Sequence, residues 1–561
     1  MKTILCSIVC CFLVSFGYSQ FQRTYGTEKT EVGTSLTQLR GPEKGYLIAG
    51  YTSNNFIGGL DATLVKTDLD GNQIWSRVYG GQDADYFHSV RQSTFLSTSA
   101  SASYVAAGAT RSYGFGAGDA FLVGVDTNGA PVFSGVYGGD LYDVAYCVQN
   151  IKDENGRPGY IMVGETRSYP NAFPGTNVYV AQTDHMGNLV RATVIGGRGD
   201  QRGFWIEQTE DGGYIISGST TNYWCGASST LANPPIDLFA IKLKPNLNME
   251  WNRIIGYPKE LDPSIRYRNI ATCVKQNRQG NYVFTGITNS FGINNSYDAF
   301  LLYLSGTGNF LGLKTYGTER RELGYTLEET FNSFGNQSYT IVGQQTIASR
   351  KAMLFQTDGG GNLQWARDYG RDGNEGGLEL VTDDYDKGFA FTGYTTSFGA
   401  GLQEIYLVET TDTGKTGTSC EKEIDLKEIK HEPCITKSAQ QIFVDDYRII
   451  DLPVERVEYK EDRCGRASGF KTDDIKSSEI ESGSLLFPNP VNNLLTIKPN
   501  KKEQITNIQV FDMQGKEIIK NIPSGKTEDI TLSTEGLNPG MYIIKLITKN
   551  GENRLMKFLK K

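Results

Sequence analysis

Short runs of alternating apolar and polar residues, each broken by Gly, Asn or Asp, recur along most of the chain and nowhere lengthen into a helical period. "DATLVKTD" (Asp61 to Asp68) and "DAFLVGVD" (Asp119 to Asp126) are two such runs. Turns of the form "DLDGN", "DTNGA", "DHMGN" and "DGGGN" follow them, where Gly and Asn supply the positive φ of a tight hairpin. Each run is one member of a larger repeat. Its units close on Tyr25-Gly26, Tyr79-Gly80, Tyr137-Gly138, Ile195-Gly196, Ile255-Gly256, Tyr316-Gly317 and Tyr369-Gly370, seven pairs spaced 53 to 61 residues apart.

Within each unit the pattern predicts four short strands. The second opens on an aromatic residue with Gly four positions later: Tyr46 and Gly50, Tyr104 and Gly108, Tyr160 and Gly164, Tyr214 and Gly218, Tyr282 and Gly286, Tyr339 and Gly343, Phe389 and Gly393. Gly inside a strand marks close approach of another backbone, here expected where strands crowd toward a common axis. One four-stranded meander cannot cover both of its faces, whereas meanders arranged radially cover one another. The fold class expected is therefore all-β, a seven-bladed β-propeller over residues 20–414. Its last unit, from about Arg371 to Thr411, lacks a fourth strand, and "FQRTYG" (Phe21 to Gly26) has the fourth-strand pattern without the other three. Pairing the two would close the ring.

Composition agrees with strands and turns: 65 Gly and 31 Tyr among 561 residues. The formal charge of -8 is small for this length and spread among interspersed acids and bases, so nothing in it suggests a nucleic-acid surface. Residues 1–19 read as a signal peptide, with cleavage expected near Ser19, and no later apolar run is long enough to span a bilayer as a helix. Six cysteines lie beyond it, too few and scattered for a disulfide scaffold. Of these, Cys420, Cys434 and Cys464 could form one bridge and leave one thiol. There is no CxxC pair for zinc, no EF-hand spacing for calcium and no cofactor motif.

Residues 415–483 lose the repeat and turn charge-rich, as in "EKEIDLKEIKHEP", which reads as a solvated linker with a strand or two in "QQIFVDDYRIID". Alternation returns over 484–561. Pro488-Asn489-Pro490, the "VFDMQGK" hairpin with Asp512 and Gly515, and "LNPGMYIIKL" with Gly540, Tyr542 and Lys545 resemble the type IX secretion C-terminal sorting domain of Bacteroidota. The resemblance implies a small immunoglobulin-like sandwich that engages the type IX secretion machinery and sends its passenger to the outer surface or beyond. "GYTTSFGAG" (Gly393 to Gly401) and "GATRSYGFGAGDA" (Gly108 to Ala120) also resemble secreted seven-bladed propeller repeats of such bacteria. That resemblance implies a fold and no substrate.

Candidate chemistry is sparse. The histidines are His88, His185 and His431, and only His88 falls on a first strand, aligned with Thr34, Tyr146, Phe204, Thr272, Tyr325 and Leu378. A packing or surface role is expected there, and no GxSxG elbow accompanies it. Glu31, Asp85, Asp143, Gln201, Asn269, Glu322 and Glu375 stand just before successive first strands. The loops between second and third strands carry aromatics, including Phe56, Tyr113, Phe115, Tyr169, Phe173, Phe291 and Phe398, and the longest of them sets Tyr223 beside Trp224. Aromatics near carboxylates suit a sugar or a peptide. Acids and aromatics that recur in most units also suit plain packing and loop bonding, and no acid pair is singled out for glycoside hydrolysis. The expectation is a secreted or surface-displayed binding or adhesion scaffold for an extracellular glycan or protein, not an enzyme. The alternatives are a propeller hydrolase of glycans or peptides using these carboxylates, and a structural subunit of the surface or secretion machinery.

Overall fold

The computed structural model describes residues 20–463 except 54–57, 95–101, 170–173, 198, 222–234, 257–264, 333, 386, 400–401 and short stretches between 437 and 459. Beyond 463 it describes 485–487, 493–498, 505–512, 517–526, 530–538, 540–549 and 553–560. The chain divides into two compact units, residues 1–467 and 468–561.

The first unit is built from seven antiparallel sheets of five strands each. In six of the sheets four strands are consecutive hairpins, and in the remaining one three are. The innermost strands are Glu31–Leu39, Asp85–Gln92, Asp143–Lys152, Gln201–Gln208, Asn269–Gln276, Arg321–Phe331 and Glu375–Thr382, heading sheets one to seven in that order. Each innermost strand packs on the next, and the seventh packs on the first. Sheet seven takes its fourth strand from the other end of the repeat region: Gln22–Gly26 pairs with Glu404–Thr410, Gln22 opposite Val408 and Tyr25 opposite Ile405.

The Tyr-Gly pair has a separate physical cause for each residue. Tyr25, Tyr79, Tyr316 and Tyr369 are buried and donate their hydroxyls to the carbonyls of Gly71, Gly129, Gly361 and Gly414, at 2.5, 2.8, 2.5 and 2.6 Å. Each acceptor lies in the turn that follows the third strand of the next sheet, so the phenol ties neighbours together. Where Ile255 replaces Tyr, Arg253 Nε donates to the equivalent Gly308 carbonyl at 2.8 Å instead. The glycine makes room for acids. A Cβ on Gly80 would stand 2.6 Å from Asp85 Oδ2 and 2.8 Å from Asp61 Oδ1.

The fifth strands replace the solvated linker expected at 415–483 over residues 421–463, and 464–483 lie outside the described residues. Glu421–Glu423, Lys427–His431, Cys434–Thr436, Gln440–Val444, Tyr447–Ile449, Val454–Val457 and Lys460–Arg463 pair antiparallel with the outer strands of sheets six, five, four, three, two, one and seven. The segment thus runs around the outside of the assembly in the order opposite to that in which the sheets were made, one short strand per sheet. Every outer edge is covered, which removes the rows of unpaired N–H and C=O groups that would template aggregation. His431 belongs to this belt, bonded to Thr315 Oγ1 at 3.0 Å and packed on Phe291.

Cys420 and Cys434 are both disulfide-bonded, while Cys147 and Cys273 are free and buried. Cys420 accepts from the Gly370 N–H at the edge of sheet six, and Cys434 stands opposite Gly256 in sheet four. Two cysteines on sheets that are not neighbours cannot reach the 4–7 Å Cα separation, roughly, that a disulfide requires. Each therefore has its own partner, outside the described residues, and two bridges hold the belt instead of one. Peptide mapping of the unreduced protein should find both, and finding a Cys420–Cys434 peptide would disprove the assignment.

The second unit contains two antiparallel sheets. Leu485–Phe487, Leu494–Lys498 and Ile530–Ser533 form one; Glu517–Lys526, Ile505–Asp512, Gly540–Thr548 and Asn553–Lys560 form the other. Alternate residues of both sheets, Leu495, Ile497, Ile508, Val510, Leu532, Ile544 and Leu546 among them, meet in one buried core. No helix among the described residues is long and apolar enough to cross a membrane.

Candidate functional site

All seven innermost strands of the first unit break register at the same place. The slip falls at Thr34, His88, Tyr146, Phe204, Thr272, Tyr325 and Leu378, each an extra residue with no partner on the second strand. These are β-bulges, which bend a strand and re-aim a side chain. The glycines of the second strands exist because of them. A Cβ on Gly50 would meet the Val32 carbonyl oxygen at 1.8 Å, and one on Gly164 the Val144 oxygen at 1.7 Å; the other five face the matching oxygen at 1.7 to 2.1 Å. The close backbone is thus the adjacent strand of the same sheet, not that of another unit as the sequence suggested. Gly164→Ala should cost about 1–3 kcal/mol through overpacking, read as a lower denaturation midpoint.

The seven bulged residues line a single cavity of about 400 Å³ at the centre of the sheets, together with Ser89, Trp205, Thr326 and Glu379. One arc of its wall is aromatic. His88 stacks on Tyr86 with ring centroids 6.2 Å apart and leans on Tyr146 at 5.4 Å, and Tyr146 meets Phe204 at 5.5 Å. The rest combines Tyr325 and Trp205 with smaller, aliphatic or acidic side chains. Thr34 and Thr272 donate to the carbonyls of Phe87 and Gly324 on neighbouring sheets, at 2.7 and 3.1 Å.

Burial alone pushes His88 down to about 4, so its imidazole is neutral near pH 7 and offers one donor and one acceptor. Trp205 is 7% exposed, and its indole N–H has no hydrogen-bond partner among the described residues. Charged groups surround it. Arg91 pairs with Glu379 at 2.9 Å, and Lys275 pairs with Glu328 at 3.1 Å and Glu207 at 3.5 Å. Arg91 and Lys275 also lie over the Trp205 ring, 5.1 and 5.5 Å from its centroid. Burial raises the carboxyls of Glu207 and Glu379, against the pull of Lys275 and Arg91 respectively. These ions are engaged with one another.

The carboxylates singled out in the sequence stand elsewhere, three residues before each bulge, and Glu31, Asp85, Asp143, Glu322 and Glu375 are fully buried. Their oxygens bind their own loops. Asp85 accepts from the Gly81 N–H at 2.9 Å and Ser112 Oγ at 2.7 Å; Asp143 from the Gly139 N–H and Ser168 Oγ; Glu31 from Thr27 and Thr52; Glu322 from Thr318; Glu375 from Lys351 Nζ and Thr395. Burial raises Glu31, Asp85 and Glu375 above the ordinary carboxyl range. Of the loop aromatics, Phe291 and Phe398 are buried and Tyr113 is tied to the Gly80 carbonyl. Tyr223, Trp224, Phe56 and Phe173 lie outside the described residues, as do Pro488, Asn489, Pro490 and Gly515. In the second unit Asp512 pairs in register with Tyr542, whose hydroxyl donates to the Asn538 carbonyl, while Gln509 pairs with Lys545 and Gly540 with Lys560. Among the described residues no group of three or more His, Cys, Asp or Glu could hold a metal ion.

The first unit is an assembly of antiparallel sheets around a small aromatic cavity, and the second is a compact all-β module. Residues 485–561 match the family described as the secretion system C-terminal sorting domain. The protein is secreted or attached to the outer cell surface, and its C-terminal unit interacts with the type IX secretion machinery. No curated protein matches the chain significantly. Two solved structures that align with it are extracellular domains from B. thetaiotaomicron. One is described as belonging to the hybrid two component system BT3049, with 8% identity, 94% of this chain and 67% of that chain covered, and a TM-score of 0.21. The other, from BT4673, has 9% identity, 97% and 99% coverage and a TM-score of 0.15. Scores this low carry no argument about fold or function.

Proposed function

We propose that the first unit is a closed seven-bladed β-propeller, that the C-terminal unit is an immunoglobulin-like sandwich, and that the protein left after cleavage near Ser19 is a non-enzymatic binding scaffold displayed at or released from the cell surface. The observation that supports binding is the cavity. Seven equivalent backbone positions converge there, and their side chains are aliphatic, hydroxylic, phenolic, phenyl and imidazole in turn. A repeat that kept these positions for packing alone would repeat their chemistry, as it does at the buried Tyr-Gly pairs. Tyr223 and Trp224 remain in the proposal as contacts contributed by the longest loop, and Glu31, Asp85, Asp143, Glu322 and Glu375 as the residues that brace the loops around the site.

Hydrolysis is the rival activity, and Glu379 is the carboxylate that lines the cavity. It is bound to Arg91, and hydrolysis of a glycoside by the usual route needs two carboxyl groups. The test is a panel of chromogenic glycosides and peptides beside a glycan and peptide array. Binding without turnover is expected; turnover lost in Glu379→Gln would overturn the reading.

A further inference from the structure

We infer that the central cavity recognises a neutral pyranose, either free or as the terminal unit of a glycan; the inference rests on the reading of the cavity as the binding site. Size sets the first limit, because about 400 Å³ lies at the lower end of the range of small-ligand sites, room for one ring and its substituents. The wall sets the second. The arc of His88, Tyr146 and Phe204, with Tyr86 stacked on His88, presents successive ring faces and edges, the surface on which the C–H face of a sugar rests.

Polar groups between those rings give the third. A buried donor with no partner is disfavoured by about 1–3 kcal/mol, and native proteins seldom leave one without a water or ligand acceptor. Trp205, one of the residues that line the cavity, carries such a donor in its indole N–H. The His88 nitrogens add a donor and an acceptor a few residues away in space, and the hydroxyls of Thr34 and Thr272, which donate to carbonyls, keep lone pairs that can accept. Alternating donors and acceptors over an aromatic face match vicinal hydroxyls better than they match a hydrocarbon ring.

Charge decides between neutral and ionic sugars. Arg91 is paired with Glu379, and Lys275 with Glu328 and Glu207, so no cation stands ready for a uronate carboxylate and no free carboxylate for an amino sugar. Binding an ion would break one of these pairs in a buried setting.

The experiment titrates the purified mature protein with neutral methyl hexosides, a methyl uronoside, a methyl aminohexoside and free phenylalanine, read by ligand-observed saturation transfer. Trp205→Phe and His88→Ala are the variants, with near-ultraviolet circular dichroism to check that they fold. The expected result is that at least one neutral hexoside binds and that each variant weakens it about fivefold or more, while the charged sugars do not bind. Preference for the uronoside, the aminohexoside or phenylalanine, still sensitive to Trp205→Phe, would overturn the neutral-sugar inference and leave the cavity as the binding site. Binding of a hexoside unaffected by either variant, or no binding by any probe, would overturn both. If Trp205→Phe fails to fold, His88→Ala alone decides, because the His88 side chain makes no hydrogen bond among the described residues.

Discussion

A passenger ending at residue 417 should melt well below one ending at residue 467, by roughly 10 °C or more, and should scatter light on heating while the longer form does not. The difference between them is the belt. Its strands make three to five residue pairs with each sheet. Each backbone hydrogen bond contributes about 0.5–1.5 kcal/mol net, and fixing each residue costs about 1–2 kcal/mol, so the pairing alone nearly cancels. What remains is apolar contact and cross-linking. Leu426 is buried in the largest core cluster, with Ile424 and Ile435 packed against it, and Cys420 is buried in another. Two disulfides add about 2–4 kcal/mol each in the usual range. Reducing the longer form should therefore reproduce much of the fall in melting temperature seen on truncation, without the aggregation, because the edges stay covered. If the reduced and oxidised forms melt alike, the belt is held by packing and the role given to the bridges is wrong.

The belt is also where sequence reasoning fell furthest short, and the reason is physical. An outermost strand has little to bury, so it need not alternate; the side chains of Lys427 to Lys430 are exposed and that of His431 half-buried. Its pairing runs through backbone groups that are the same for every residue, and charge-rich composition then reads as solvent. The inner strands gave the opposite case. Their turns need positive φ at Gly71, Gly129, Gly187 and Gly361, and their buried Tyr residues repeat, so four-stranded antiparallel sheets could be read directly. The bulge lay between these extremes. Its footprint, Gly in each second strand, was visible, but its cause was a backbone slip one strand away that no residue pattern announces. His88 aligns with its six counterparts in the sequence, but the alignment does not show what the seven positions share. A position that varies among repeats looks like surface until the register shows that all seven copies share one cavity.

Arg91→Ala should destabilise the first unit by about 3–5 kcal/mol at pH 8, and by clearly less at pH 5. The Arg91 and Glu379 side chains are 13% and 6% exposed, so removing the guanidinium leaves a carboxylate with little water around it. Two other contacts of Glu379 remain, the Leu36 N–H at 3.3 Å and the Ser35 hydroxyl. They are weaker than an ion pair. Once the guanidinium is gone, Lys275 is the cation that still favours ionisation of Glu379. Burial already raises Glu379 above the ordinary carboxyl value with Arg91 in place, and the variant raises it further. An acid whose folded pKa exceeds its unfolded value holds extra protons in the folded state. Its favourable contribution is complete below the unfolded pKa and is lost as pH rises through the folded one. The gap between wild type and Arg91→Ala must therefore widen with pH over the range between the two pKa values. Adding Glu379→Gln removes the titrating group, so Arg91→Ala/Glu379→Gln should regain most of the stability at pH 8 and lose the pH dependence. Denaturant unfolding of the three proteins at pH 5 and pH 8 is the measurement, and a gap that is the same at both would show that Arg91 acts through its packing on Trp205 and not through Glu379.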